Sequence, residues 1–311
     1  MKRCLYCYQP LTDDSVEFHT KCSRKMFGMS KPPILSFGKP ELKAIAKQII
    51  GRHITVTGVQ PKLSLELEKI DTRNSRLTIV GLWGSFILKP PSDIFSSLPE
   101  NESLTMKLAN LCEIKTAEHS LIRLQSGELA YITKRFDREK GYKIHVEDFC
   151  QLTETLTEHK YRSSMEKVGK TIRKFSTNSG LDVLSFFELT IFCFLTGNAD
   201  MHLKNFSLLR PQNGEILLSP AYDLVSTKLA MPDDLEQIAL TLNGKKNRLK
   251  KTDFIQLATS LNITPKVIDG IFNRFEKKID TMINLIEESF LEVSLREQYK
   301  DILLSRISVL K

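Results

Sequence analysis

Asp200 and Asn205 stand five residues apart in the run Gly197-Asn198-Ala199-Asp200-Met201-His202-Leu203-Lys204-Asn205-Phe206, and a second isolated carboxylate follows in Ala221-Tyr222-Asp223. Phosphoryl transfer needs such a set: one carboxylate to orient an acceptor hydroxyl, and a second carboxylate with an amide oxygen to hold Mg²⁺. The five-residue separation equals that of the Asp and Asn in the catalytic-loop pattern H-R-D-x-x-x-x-N. Asp223 takes the place of the metal-binding Asp of D-F-G, although the triplet here reads Asp223-Leu224-Val225. The alternative is an Asn-rich turn at a helix-to-loop junction, for which Gly-Asn-Ala-Asp has suitable turn chemistry.

A second chemical pattern opens the chain. Cys4-x-x-Cys7 and His19-x-x-Cys22 form two pairs separated by eleven residues. All four donors suit tetrahedral Zn²⁺. Two short loops gripping one ion would stabilise a segment of about 25 residues, which is too short to bury a core of its own. Four protein ligands leave no open position, so such a site would be structural. Unmetallated thiols, or a redox-active Cys4 and Cys7, are the alternatives.

The remaining composition supplies what must position these groups. With 311 residues, 41% hydrophobic and 26% charged, the chain has apolar material for a large core in one bilobed unit or two domains. The first residues lack the apolar stretch of a secretory signal, and the longest apolar run, 184–195, is broken by polar residues and too short for a bilayer. A cytoplasmic protein with no membrane association is expected, its six cysteines held as thiols or metal ligands rather than disulfides. The net charge of +8 would attract anionic partners, with basic residues concentrated at 160–174 and 245–251. These stretches read as solvated faces. No aromatic residues alternate with the lysines, so direct nucleic-acid binding is not expected.

Three parts follow: a zinc-knuckle-like segment at 1–28, a sheet-rich lobe at 34–136 and a mostly helical lobe at 137–311, an α+β arrangement. Met29-Ser30-Lys31-Pro32-Pro33 reads as a linker. The alternation of Ser64-Leu65-Glu66-Leu67-Glu68 predicts a strand, as do the short β-rich runs at 77–80, 85–89 and 131–133. Helices are predicted over 100–112, 181–196, 252–261, 265–289 and 291–308.

Five blocks in order carry a family resemblance: Thr57-Gly58-Val59-Gln60-Pro61-Lys62-Leu63, Phe86-Ile87-Leu88-Lys89-Pro90, Lys134-Arg135-Phe136-Asp137-Arg138, His145-Val146-Glu147-Asp148-Phe149-Cys150-Gln151, and the loop from Asp200 to Asn205. Over about residues 37–250 the chain resembles the HipA-type serine/threonine kinases, toxins of bacterial toxin-antitoxin modules. The resemblance implies a bilobed, protein-kinase-like fold and an ATP- and Mg²⁺-dependent protein kinase. Asp200 would be the catalytic carboxylate, and Asn205 with Asp223 would hold Mg²⁺. Thr57, Gly58, Val59, Gln60, Pro61 and Lys62 would cover the phosphates, and Lys89 would pair with the α- and β-phosphates. Glu102 is the candidate partner of Lys89, its alternative role being a helix-start acid. Lys134, Arg135 and Phe136 would border the adenine, and His202, Lys204 and Tyr222 would lie near the nucleotide. His145 is read as structural. Thr55 and Thr57 match positions that are autophosphorylated serines in the family.

One departure bears on partners. The longer HipA proteins carry an amino-terminal subdomain before the kinase core, where this chain has only the cysteine segment. It thereby resembles the short HipT form, which implies a HipS-like small protein and a HipB-like DNA-binding antitoxin as partners. The substrate implied is a protein, with an aminoacyl-tRNA synthetase as the family precedent and inhibition of translation as the consequence. Two other classes remain open on the residues alone: a small-molecule or lipid kinase, and a zinc-containing nucleic-acid-binding protein.

Overall fold

The alternation at residues 64–68 is a strand in the computed structural model of the chain, which describes residues 2–50, 61–71, 74–81, 83–139 and 141–311. The chain divides into two units. The first comprises Met1–Ser103, Ala117–Arg135 and Glu288–Leu291, and the second comprises Leu104–Thr116, Phe136–Glu287 and Glu292–Lys311.

The first unit is built on a five-stranded sheet formed by β1 (Leu63–Lys69), β2 (Ser75–Ile79), β3 (Phe86–Lys89), β4 (His119–Arg123) and β5 (Leu129–Lys134), in the order β2-β1-β3-β5-β4. Every pairing is antiparallel. Register follows from the two-residue period. Leu63 faces Leu88 and Leu88 faces Ile132, so one buried apolar row crosses the three central strands. The helix α1 (Thr20–Phe27) ends at Gly28, whose left-handed φ of 75° lets its N–H return to Arg24 O, a glycine stop. The proline linker beyond it does not run free. Ile34 bridges Arg76 at the outer edge of β2, donating to Ser75 O and accepting from Leu77 N. The helix α2 (Lys39–Ile50) buries Leu42 and Ala46. The first turns of α3 (Leu98–Leu111) complete the unit, with Asn101, Glu102 and Ser103 all buried.

The second unit holds a hairpin of β6 (Arg138–Glu139) and β7 (Tyr142–Lys143), then β8 (His145–Asp148), which leads directly into α4 (Phe149–Leu152). The helices α5 (Met165–Phe175) and α6 (Ser179–Leu195) follow. A sheet in the order β10-β9-β8 is closed by β9 (Ser207–Arg210) and β10 (Leu217–Leu218). The helices α7 (Thr227–Ala230), α8 (Lys251–Ser260), α9 (Pro265–Glu287) and α10 (Val293–Leu310) finish the chain. The apolar run at 184–195 is the interior of α6, buried from Leu189 through Leu195, and it delivers the chain to Gly197. No helix among the described residues is long and apolar enough to cross a membrane.

The two basic stretches carry more than exposed charge. The basic stretch at 160–174 is not only a solvated face: Ser164 caps α5 by accepting from Lys167 N, and Met165, Val168 and Ile172 are buried on its inner side. The charges on the other face hid that apolar stripe. The basic residues Lys245 and Lys246 are likewise tied, to Asp253 at 2.8 Å and Glu236 at 3.1 Å.

Candidate active site and metal centre

The loop after α6 is fixed before its side chains do any chemistry. Gly197 has φ of 65°, and a Cβ there would lie 2.9 Å from Lys228 Cβ and 3.0 Å from Ile302 Cγ2, so only glycine fits the turn. Its carbonyl accepts from Lys228 N and Thr227 Oγ1, and that hydroxyl in turn accepts from Ala199 N at 2.8 Å. Asp200 N donates to Asn198 Oδ1 at 2.9 Å, while Asp200 O accepts from His202 N and from Asn205 Nδ2, both at 2.8 Å. The Asp-to-Asn spacing thus has a direct cause: the amide nitrogen of Asn205 closes the loop onto the Asp200 carbonyl. Oδ1 of Asn205 accepts no hydrogen bond among the described residues.

The Asp200 side chain is 42% exposed. Its Oδ1 accepts a hydrogen bond from the Tyr161 hydroxyl, and His202 Nε2 lies 4.0 Å from the same oxygen. His202 is buried, and its Nδ1 has no hydrogen-bond partner among the described residues. Burial holds the imidazole below the usual histidine range, opposed by the charges of Asp200 and Asp223, so it is neutral at pH 7. Asp223 has φ of 59°, a left-handed conformation uncommon outside glycine, at the position where the second metal carboxylate was expected. Its neighbour Tyr222 is held by Ser207 Oγ at 2.7 Å, donates to Lys204 O at 2.8 Å, and lays its ring 5.3 Å from that of Phe136. An open amide oxygen and carboxylates are the hard donors that Mg²⁺ takes, so this loop fits the ion.

Other expected site residues fall as follows. Lys204 is engaged, its Nζ 2.8 Å from Asp148 Oδ2, and Asp148 is also the N-cap of α4 in a reciprocal box with Gln151. His145 forms an exposed pair with Glu147. In the first unit, Lys89 ends β3 with its Nζ 2.5 Å from Glu102 Oε1, both side chains under 5% exposed, and 5.4 Å from the Tyr131 ring centroid. Glu102 is therefore a buried partner of the lysine rather than a solvated helix-start acid. Pro61 and Lys62 lead into β1. Lys134 ends β5 with its side chain outward, and Arg135 N donates to Ser85 O. Thr55, Thr57, Gly58, Val59 and Gln60 lie outside the described residues. Sequence reasoning passed over Tyr161, which sits at no spacing that marks a motif, and gave Asp148 no role although it stands in the block from His145 to Gln151.

The four ligand atoms of Cys4, Cys7, His19 and Cys22 lie within 4.8 Å of one another. Nδ1 of His19 is 3.4 Å from Cys7 Sγ and 3.8 Å from Cys22 Sγ, and its Nε2 is 3.1 Å from Pro10 O. A ring nitrogen turned to the sulfurs while the other donates to a carbonyl is how a metal-binding histidine is oriented. The hydrogen bond from Cys7 pulls the Cys4 thiol down to about 4, while that bond and burial raise Cys7, so Cys4 is the thiol of the pair that gives up its proton more readily. Only the first pair sits on a loop. His19 is the N-cap of α1 and Cys22 lies in its first turn, which corrects the expectation of two loops.

The chain belongs to the family described as HipA-like C-terminal domain, whose model matches residues 54–283. It is 34% identical over 231 residues to "Putative kinase Y4dM" of Sinorhizobium fredii, covering 70% of this chain and 56% of that protein. It is 27% identical over 206 residues to the serine/threonine-protein kinase toxin HipA of Shewanella oneidensis, covering 60% of this chain and 45% of that one. The matches thus span about half the length of these relatives. HipA from Shewanella oneidensis MR-1, solved with HipB and operator DNA, superposes with a TM-score of 0.67 at 21% identity, over 82% of this chain and 64% of that chain. The Helicobacter pylori proinflammatory kinase CtkA gives 0.53 at 17% identity, over 78% and 93%. The fold is therefore the one these kinases share.

Proposed function

We propose that the chain is an ATP- and Mg²⁺-dependent serine/threonine protein kinase acting as the toxin of a toxin-antitoxin module. The observation that carries this reading is the Asp200 loop: a partly exposed carboxylate whose backbone is pinned at three points, beside an amide oxygen that accepts no bond among the described residues. Asp200 would take the proton of a serine or threonine hydroxyl. Asn205 and Asp223 would hold Mg²⁺, which supplies charge neutralisation at the phosphates. Lys89, kept in place by Glu102, would meet the α- and β-phosphates. The neutral His202 would line the loop without adding charge.

The likeness to the Shewanella serine/threonine-protein kinase toxin HipA, solved in a complex with HipB and operator DNA, supports a toxin paired with a HipB-like antitoxin, which we place in the cytoplasm. The HipT form, with a HipS-like partner, belongs to the same reading. An aminoacyl-tRNA synthetase is the substrate this reading assigns, with Thr55 and Thr57 as sites of autophosphorylation. The cysteine cluster would hold one structural Zn²⁺. Brief expression followed by quantitative phosphoproteomics tests the assignment: phosphate should accumulate on serine or threonine of a translation protein, and on residues 55–57 of the chain itself. Labelled ATP yielding only low-mass product would make it a small-molecule or lipid kinase, and no label at all would make it a binding protein.

A further inference from the structure

Tyr161 makes a contact that the reading above does not use. Its hydroxyl donates to Oδ1 of Asp200. Every other polar group of Asp200 is also engaged except Oδ2, which accepts no hydrogen bond among the described residues. The two carboxylate oxygens are therefore distinguished. One is tied to the protein and the other faces outward on a side chain 42% exposed.

The tyrosine is itself held. Lys160 O accepts from Leu203 N at 3.1 Å, which ties the chain next to Tyr161 directly to the Asp200–Asn205 loop. The phenol ring stands edge-on to His202, with centroids 4.9 Å apart and planes at 81°. Lys160 Nζ lies 5.1 Å and Lys246 Nζ 5.9 Å from the same ring centroid, within the range of cation–π attraction. Although Tyr161 is 38% exposed, an aromatic edge and two cations restrain its ring with the hydroxyl directed at Asp200.

The identity of the donor matters. A lysine in this position would orient the carboxylate and also cancel its charge, weakening it as a base. A phenol orients it while remaining neutral, and burial together with the Asp200 bond pushes the Tyr161 phenol well above its ordinary value, so it stays protonated at any physiological pH. Neither nearby cation takes over that role: Lys246 is paired with Glu236, and the Lys160 ammonium lies over the Tyr161 ring. Without the phenol, a partly exposed aspartate would sample several rotamers and present a productive oxygen only part of the time.

We propose that Tyr161 is a positioning residue for phosphoryl transfer, fixing Asp200 by Oδ1 so that Oδ2 receives the proton of the acceptor hydroxyl. This rests on the kinase reading. As the acceptor oxygen bonds to the γ-phosphorus of ATP, its proton passes to Oδ2, the bridging bond to the β-phosphate breaks, and ADP leaves with the electron pair.

Tyr161→Phe tests the inference, since it keeps the ring against His202 and the lysines and removes only the hydroxyl. ADP formation from Mg–ATP by the purified full chain counts transfer to water and to its own hydroxyls alike, and titration with a fluorescent ADP analogue reports nucleotide affinity separately. The expected result is a fall in kcat of about tenfold to a hundredfold, the worth of a hydrogen bond to a charged group. Analogue affinity should stay within about twofold and the melting temperature should be unchanged; a general structural role would move both. If the wild type forms ADP and Tyr161→Phe is as fast or faster, the inference is overturned while the kinase reading stands. A faster variant would mean that the phenol blocks the acceptor's place. If the wild type forms no ADP, the kinase reading falls and this inference with it.

Discussion

Replacing Glu102 by glutamine removes a charge from one of the most buried ion pairs in the chain while keeping the side-chain shape. The Lys89 and Glu102 side chains are 4% and 3% exposed, and their charged atoms are 2.5 Å apart. Solvent therefore screens the pair little, and deleting one partner of such a pair costs roughly 3–5 kcal/mol. The amide oxygen of glutamine still accepts from Nζ and recovers part of this, which brings the expected loss at pH 7 to about 2–4 kcal/mol. A second limit makes the prediction sharper. A lysine left without its carboxylate can shed its proton, and for an ordinary lysine that costs about 4.6 kcal/mol at pH 7 but only about 1.9 kcal/mol at pH 9. The destabilisation of Glu102→Gln relative to wild type should therefore shrink to below about 2 kcal/mol at pH 9. Urea unfolding followed by far-UV circular dichroism, run on both proteins at both pH values, measures the difference. A loss under about 1 kcal/mol at pH 7, or an equal loss at the two pH values, would refute the reasoning that Lys89 is a buried ammonium dependent on this carboxylate.

Protein purified without added zinc or chelator should contain about one Zn²⁺ per chain, and Cys4→Ser with Cys22→Ser should remove it and lower the melting temperature; full zinc occupancy in that double variant would disprove the site. His202 gives a pH signature. Because burial depresses its folded pKa, the unfolded chain binds a proton first as pH falls, so stability is complete above about pH 6.5 and declines as pH drops through the lowered folded value. His202→Gln should flatten the dependence of melting temperature on pH across that window, and an unchanged slope would contradict a buried neutral imidazole.

The parts of this molecule that show in its sequence are those where a local period or a fixed spacing has a direct structural cause. The strand at Leu63–Lys69 shows because burial alternates along it, and α6 shows because its second half is rich in Phe, Leu and Ile and buried from Leu189 through Leu195. The Asp200–Asn205 spacing shows because the Asn205 amide closes a loop of that length onto the Asp200 carbonyl. Lys89 and Glu102 are paired in the sequence only as candidates implied by the family resemblance, with a surface lysine and a helix-start acid as the alternatives, and their burial shows only in the fold. What stayed hidden depends on contacts distant in the chain. Tyr161 sits between Lys160 and Arg162 with no period to mark it, and only the fold brings it to Asp200, 39 residues on. The strand at His119–Arg123 mixes His, Ser and Arg with its apolar residues and is recognisable only through its pairing with Leu129–Lys134. The helix at Met165–Phe175 was masked by its own charged face, and α1 by its role in the cysteine cluster, where His19 serves as both N-cap and candidate ligand.

The central claim is that this chain transfers phosphate through Asp200 with metal held at Asp223. Incubating the purified full chain with γ-labelled ATP and Mg²⁺, beside Asp200→Asn and Asp223→Asn, tests it most directly, with circular dichroism to show that all three are folded. The account predicts label on serine or threonine in protein for the wild type, and losses of several orders of magnitude in both variants. Either folded variant retaining more than about a tenth of wild-type turnover, a barrier change under about 1.4 kcal/mol, would contradict it.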